Sequence, residues 1–158
     1  MLTQAPIKDP AALTRFIEDR YHARHRQQLP ELVQLASRVE SEHFGDHNAP
    51  QGLADVLDGL GGEMEAHMRK EELVLFPMIR LGEVKEFAKL MVEMRADHDG
   101  HAHEITYIRA LTNDLRTPSQ VYRTWAALYD GLRRFVADLQ EHIRLEDEVL
   151  FPPFEIGR

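Results

Sequence analysis

His67-Met68-Arg69-Lys70-Glu71-Glu72-Leu73-Val74-Leu75-Phe76-Pro77 is written twice in this chain. It returns as His142-Ile143-Arg144-Leu145-Glu146-Asp147-Glu148-Val149-Leu150-Phe151-Pro152, with seven of eleven positions identical. Each copy holds His and Glu four residues apart, which on a helix places an imidazole and a carboxylate on one face, one turn apart. A single pair of this kind is ordinary on a solvated helix. Two in one frame, each closed by Val-Leu-Phe-Pro, are hard to read as surface decoration.

Both pairs continue an apolar seam. The first follows Leu53, Leu57, Leu60 and Met64 and runs on to Val74 and Met78. The second follows Val121, Trp125, Leu128, Leu132, Phe135 and Leu139 and runs on to Val149. Steps of three and four are the mark of a helix packed into a bundle, so each His/Glu pair is expected to point at the core. Buried carboxylates are normally paired or metal-bound, and two on facing helices repel unless a cation lies between them.

Composition narrows the chemistry. The chain has 158 residues, 43% hydrophobic and 29% charged, enough for one domain with its own core. No apolar run approaches the roughly 20 residues of a membrane helix. Met1 to Pro6 lacks the basic and apolar regions of a secretion signal, which makes a cytoplasmic protein the expectation. There are no cysteines, so disulfides, thiolate metal sites and a cysteine nucleophile are excluded. Any metal must be held by nitrogen and oxygen. A net charge of -8 without a basic run argues against nucleic-acid binding. Nine histidines are many for this length, and they cluster. Phosphate-binding loops, nucleophile elbows and dinucleotide fingerprints are absent, and nothing suggests acid–base catalysis on an organic substrate.

The pattern predicts an all-α protein: an antiparallel up-down-up-down four-helix bundle with a short extra N-terminal helix and no strands. Residues 1–8 read as a loose lead-in, and Asp9-Pro10 starts the short helix as an acidic cap followed by proline. The first bundle helix is expected from about Tyr21 to Glu42, kinked or broken at Pro30. A loop from Gly45 to Gly52 precedes the second, Leu53 to Met78, whose Gly59, Gly61 and Gly62 weaken its start. The third is expected from Val84 to Leu115, with the seam Phe87, Met91, Met94, His98, His101, Ile105, Ile108 and Leu115. The fourth runs from Ser119 to Leu150. The chain is read as one domain over residues 1–158.

The duplication extends beyond the motif. His22 precedes His67 by 45 residues and His98 precedes His142 by 44, so each half offers His, then His and Glu, from a helical hairpin. Two hairpins related by a pseudo-twofold axis would bring four histidines and two glutamates to one level. That set suits a dinuclear centre with two imidazoles per metal and both carboxylates bridging. Imidazole with carboxylate fits iron best, manganese next and zinc less well. An offset of 76 residues pairs His22 with His98 but equally His25 with His101, so periodicity leaves that register open.

The sequence resembles the haemerythrin-like proteins, and within them the repair-of-iron-centres di-iron proteins. The resemblance runs through Arg20-Tyr21-His22, Gln28-Leu29-Pro30-Glu31-Leu32, His67, Glu71-Glu72, Leu75-Phe76-Pro77, Glu93 to Asp99, Trp125, His142, Glu146 and Leu150-Phe151-Pro152. It implies the metal ligands His22, His67, Glu71, His98, His142 and Glu146, and it selects His98 over His101. It further implies two non-haem iron ions with an oxo or hydroxo bridge alongside Glu71 and Glu146. The implied role lies in nitrosative and oxidative stress: repairing or supplying iron to damaged iron–sulfur clusters, and binding or reducing nitric oxide. Nitric oxide and dioxygen would be the small ligands; iron–sulfur proteins would be clients, alongside an electron donor. The small N-terminal cysteine-containing domain often found in the family is not seen in this sequence. The alternative is an oxygen-binding, storage or sensing protein of the haemerythrin type. Oxygen carriers use His-x-x-x-His on the third helix and Asp as the last ligand; here Ala102 follows His98 by four and the last acid is Glu146. His25 and His101 are read as flanking or core histidines. His43 lies roughly six turns, about 30 Å, from His22 and is left out; His47 and His103 are read as surface residues.

Overall fold

A computed structural model describes residues 4–83, 88–118 and 122–155. Asp9 opens the first helix by accepting from the backbone N–H of Ala12 at 3.1 Å, with Pro10 at the first helical position. Helix α1 (Pro10–Ile17) passes through a π-turn at Glu18–His22 directly into α2 (Ala23–Glu42), so the short helix and the first bundle helix form one rod. The expected break at Pro30 does not occur. Pro30 is exposed, where the carbonyl it leaves unbonded can meet water.

The second rod is α3 (Leu53–Lys70), a π-turn at Glu71–Leu75, and α4 (Phe76–Leu81). Glu40 anchors its start by accepting from the backbone N–H groups of Gly52 and Ala54. Gly82, at φ 73°, ends it: Gly82 N–H donates to Ile79 and Glu83 N–H to Met78, a left-handed cap that suits glycine. Helix α5 is described over Ala88–Leu111, and α6 over Arg123–Arg144 with a π-turn at Leu145–Leu150 after it. The expected helix starts at Val84–Phe87 and Ser119–Val121 lie outside the described residues. Helix α5 stops four residues short of Leu115, because Asn113, Asp114 and Leu115 turn left-handed in succession. Asn and Asp tolerate that conformation, and Leu115 is held in it by burial of its side chain and by Thr112 Oγ1 accepting its N–H.

No strand occurs among the described residues, and none of their helices is long and apolar enough to cross a membrane. The core has two parts. One holds Leu29, Leu57, Met64, Ile105, Trp125, Leu132 and Leu139; the other holds Leu13, Ile17, Leu75, Phe76, Met94, Leu145, Leu150 and Phe151. On every rod the buried histidines and glutamates fall between the two, so a polar layer divides the apolar interior.

Candidate metal centre

The two repeats build this layer with the same local device. Proline has no N–H to give and clashes with the carbonyl four residues back. Ahead of Pro77 and Pro152 the helix therefore widens, so that Phe76 N–H donates to the Glu71 carbonyl and Phe151 N–H to the Glu146 carbonyl, five residues back in both. Such π-turns concentrate at functional sites. Phe76 then lies 5.8 Å from the His22 ring, nearly parallel, and Phe151 lies 6.1 Å from His98 in the same way. Each motif thus supports the histidine of the neighbouring rod.

All six residues singled out by the duplication are buried and face one another. Glu71 turns Oε1 to His22 Nε2 at 3.1 Å and Oε2 to His67 Nε2 at 3.4 Å. Glu146 turns Oε2 to His142 Nε2 at 2.8 Å and Oε1 to His98 Nε2 at 2.8 Å. The donor atoms fall into two groups, His22/His142 and His67/His98, which share both carboxylates, and within each group every atom lies within 4.8 Å of the others. Ring centroids are 5.0 Å apart in the first histidine pair and 4.9 Å in the second. His67 Nε2, His98 Nε2, Glu71 Oε2 and Glu146 Oε1 are fully buried and make no hydrogen bond. Four orphaned polar atoms aimed at one point are costly in a protein interior. A cation between them satisfies all four, so the donor set fits a metal.

The distal ring nitrogens are held too. His22 Nδ1 meets Glu72 at 2.7 Å, His67 Nδ1 meets Asp97 at 2.9 Å, and His98 Nδ1 meets Asp147 at 2.8 Å. His142 Nδ1 meets His25 Nε2 at 3.0 Å. Such partners fix the tautomer and the ring orientation for metal binding through Nε2. Arg26 grips Glu72 with two bonds, 2.7 and 3.0 Å, and Arg95 reaches Asp147. Sequence reasoning overlooked these carboxylates and arginines. The acid after each repeated Glu, Glu72 or Asp147, was the available signal; Asp97 had none, because its counterpart in the first half is Tyr21, which stacks on His142 instead.

Charge in the layer is strongly skewed. Burial disfavours protonation of His22, His67 and His98, yet the facing carboxylates outweigh it. His22 is raised, His67 is pushed up to about 11 chiefly by Glu71, and His98 to about 9 by Asp147 and Glu146. Burial likewise opposes the charge on Glu146, but His142, His67 and His98 hold it well below the usual carboxylate range. On the protein's own groups, protons thus take the place of a cation, and metal binding must displace them. His25 and His101 behave oppositely: burial first, then neighbouring histidines, lowers them to about 2 and about 4. His101 packs edge-on against His67 at 5.2 Å. His43 is remote from the layer, against Tyr122 and Trp125, and His47 and His103 are exposed.

The sequence matches the hemerythrin HHE cation binding domain over residues 16–154. The chain belongs to this family. Among curated relatives, it is 43% identical over 149 residues to the iron-sulfur cluster repair protein YtfE of Edwardsiella ictaluri, covering 94% of this chain and 66% of that one. The protein of the same name from Yersinia pseudotuberculosis is 43% identical over 140 residues, 89% of this chain and 63% of the relative. That of Pectobacterium atrosepticum is 41% identical over 149 residues. The chain therefore spans a little under two thirds of these relatives' length.

Proposed function

We propose that the chain holds a non-haem di-iron centre, with His22 and His142 on one iron, His67 and His98 on the other, and Glu71 and Glu146 bridging beside an oxo or hydroxo group. The observation that carries this reading is the division of each carboxylate's oxygens between the two histidine pairs, together with the four orphaned atoms. Iron suits a cysteine-free set of four imidazoles and two carboxylates.

The function that follows is repair of, or iron supply to, damaged iron–sulfur clusters under nitrosative and oxidative stress, in the cytoplasm, with iron–sulfur proteins as clients. The names of the relatives support it, as does a nitrogen-rich ligand set that yields iron more readily than a carboxylate-rich one. The bound pair would supply a coordination position for nitric oxide or dioxygen and a store of one-electron reducing power. The chain's own part is to hold four imidazoles by their distal nitrogens, to keep Glu146 ionised beside them, and to shut bulk water out of the layer with Phe76, Phe151, Met64 and Leu139.

Elemental analysis of protein purified with iron tests the centre: two irons per chain are expected, and none would sink it. Adding nitric oxide to the reduced protein should change the iron spectrum. Reversible oxygenation with no reaction toward nitric oxide would favour an oxygen carrier instead.

A further inference from the structure

The two histidine pairs present the same atoms inward but are held differently from outside. His67 and His98 each lean on a carboxylate, Asp97 and Asp147; Arg95 donates to the backbone carbonyl of Asp147 at 3.0 Å but comes no closer than 3.6 Å to its carboxylate. Among the described residues, Asp97 forms an ion pair with His67 alone. A carboxylate on the distal nitrogen makes an imidazole a stronger donor. His22 also leans on a carboxylate, but Arg26 engages both oxygens of Glu72 and takes up much of that charge. His142 leans on the neutral ring of His25. The His22/His142 pair is therefore the weaker donor pair.

The outer partners of this pair, rather than its own rings, also reach an opening, whereas the small cavity lined by His67, His98 and His142 has no room for a water molecule. Between α2 and α3 runs a groove of about 740 Å³ that ends on His25, with Arg26 and Glu65 at its rim. Arg26 spans this rim, bonded to Glu65 as well as to Glu72. One residue of the groove thus holds the partner of His22, and another is the partner of His142.

On the di-iron reading above, we propose that the iron on His22 and His142 is the exchangeable one, leaving through the α2/α3 groove, while the iron on His67 and His98 is retained. Release is ligand exchange without change of oxidation state: two imidazoles and one oxygen of each bridging carboxylate give way to an incoming acceptor. The retained ion keeps the layer assembled, so the protein can be refilled without refolding.

The test is to mix reduced protein carrying two ferrous ions per chain with excess ferrozine and follow the coloured complex. Two phases are expected, each worth one iron per chain. Asp97→Asn should speed the slow phase about 10–100-fold and spare the fast one, as should Asp147→Asn if the first variant folds poorly by circular dichroism. Arg26→Gln, which frees the charge of Glu72 toward His22, should slow only the fast phase. Gly61→Met should slow the fast phase too, since Gly61 lines the groove and a Cβ added there has room, 3.9 Å from the Leu29 side chain. A single phase in the unaltered protein, or an effect of Asp97→Asn on the fast phase alone, overturns the assignment. An unchanged fast phase in Gly61→Met overturns the route. Fewer than two irons bound at the outset would instead sink the di-iron reading itself.

Discussion

The first hairpin, α1 to α4, and the second, α5 to α6 with the turn after it, carry the same candidate metal-binding residues in the same order and differ one residue outward. Where the second half has Asp97 before its helix-borne histidine, the first has Tyr21; where His142 rests on His25, His67 rests on Asp97. The first half has a π-turn that ends on its leading histidine, at Glu18–His22, while α5 runs through His98 as ordinary helix. The inner layer admits little variation, because every atom there is desolvated and must answer a charge. Outside it, water and neighbouring side chains can satisfy several arrangements, and the halves have diverged. On the proposed di-iron reading, equivalence at the six inward-facing residues and inequivalence around them would let one bundle treat two ions differently.

The equivalence can be broken most severely at the bridges. Glu71→Ala and Glu146→Ala should each strip at least one of two metals, read by elemental analysis; a variant still fully loaded would show that its acid does not bridge. Next in size is an effect of pH that reverses with loading. His67 and His98 have folded-state values of about 11 and about 9, above the ordinary 6.5. Their stabilising contribution to the metal-free protein is thus fully present below about pH 6.5 and is lost as pH rises toward 9 and beyond. The loaded protein should do the opposite, losing metal and stability as pH falls and the imidazoles protonate. Thermal denaturation across pH 5 to 10, with and without iron, reads both slopes; parallel curves would refute the displacement of protons by metal.

A smaller effect sharpens the contrast between the halves. Glu72→Gln should weaken metal binding less than Asp97→Asn does, because Arg26 already neutralises much of Glu72, and competition with a chelator of known strength ranks the two. The smallest concerns the shared motif. Pro77→Ala and Pro152→Ala should each destabilise by about 0.4–1 kcal/mol through the unfolded chain, equally in the two halves. Chemical denaturation measures this, and a large difference between them would mean that the two π-turns are not the same device.

The histidines and glutamates of the layer were legible from the primary structure because burial of titratable side chains at helical spacing has few physical solutions, and the repeat removed chance as one of them. The bundle followed from the same seams. Reading a second helix after a separate N-terminal one missed the continuous first rod, since the π-turn at Glu18–His22 has no proline to mark it and leaves no periodic trace. The end of α5 was set too late because Leu115 keeps its place on the apolar seam after the backbone has already turned left-handed. Local chemistry along the chain thus determined the ligand types, their spacing and the helical class. Only the packed structure decided which oxygen of each carboxylate faces which histidine, which acids and arginines stand behind the rings, and where the interior opens to solvent. Those choices depend on contacts between rods 30 to 117 residues apart in sequence, and no local pattern encodes a distance of that kind.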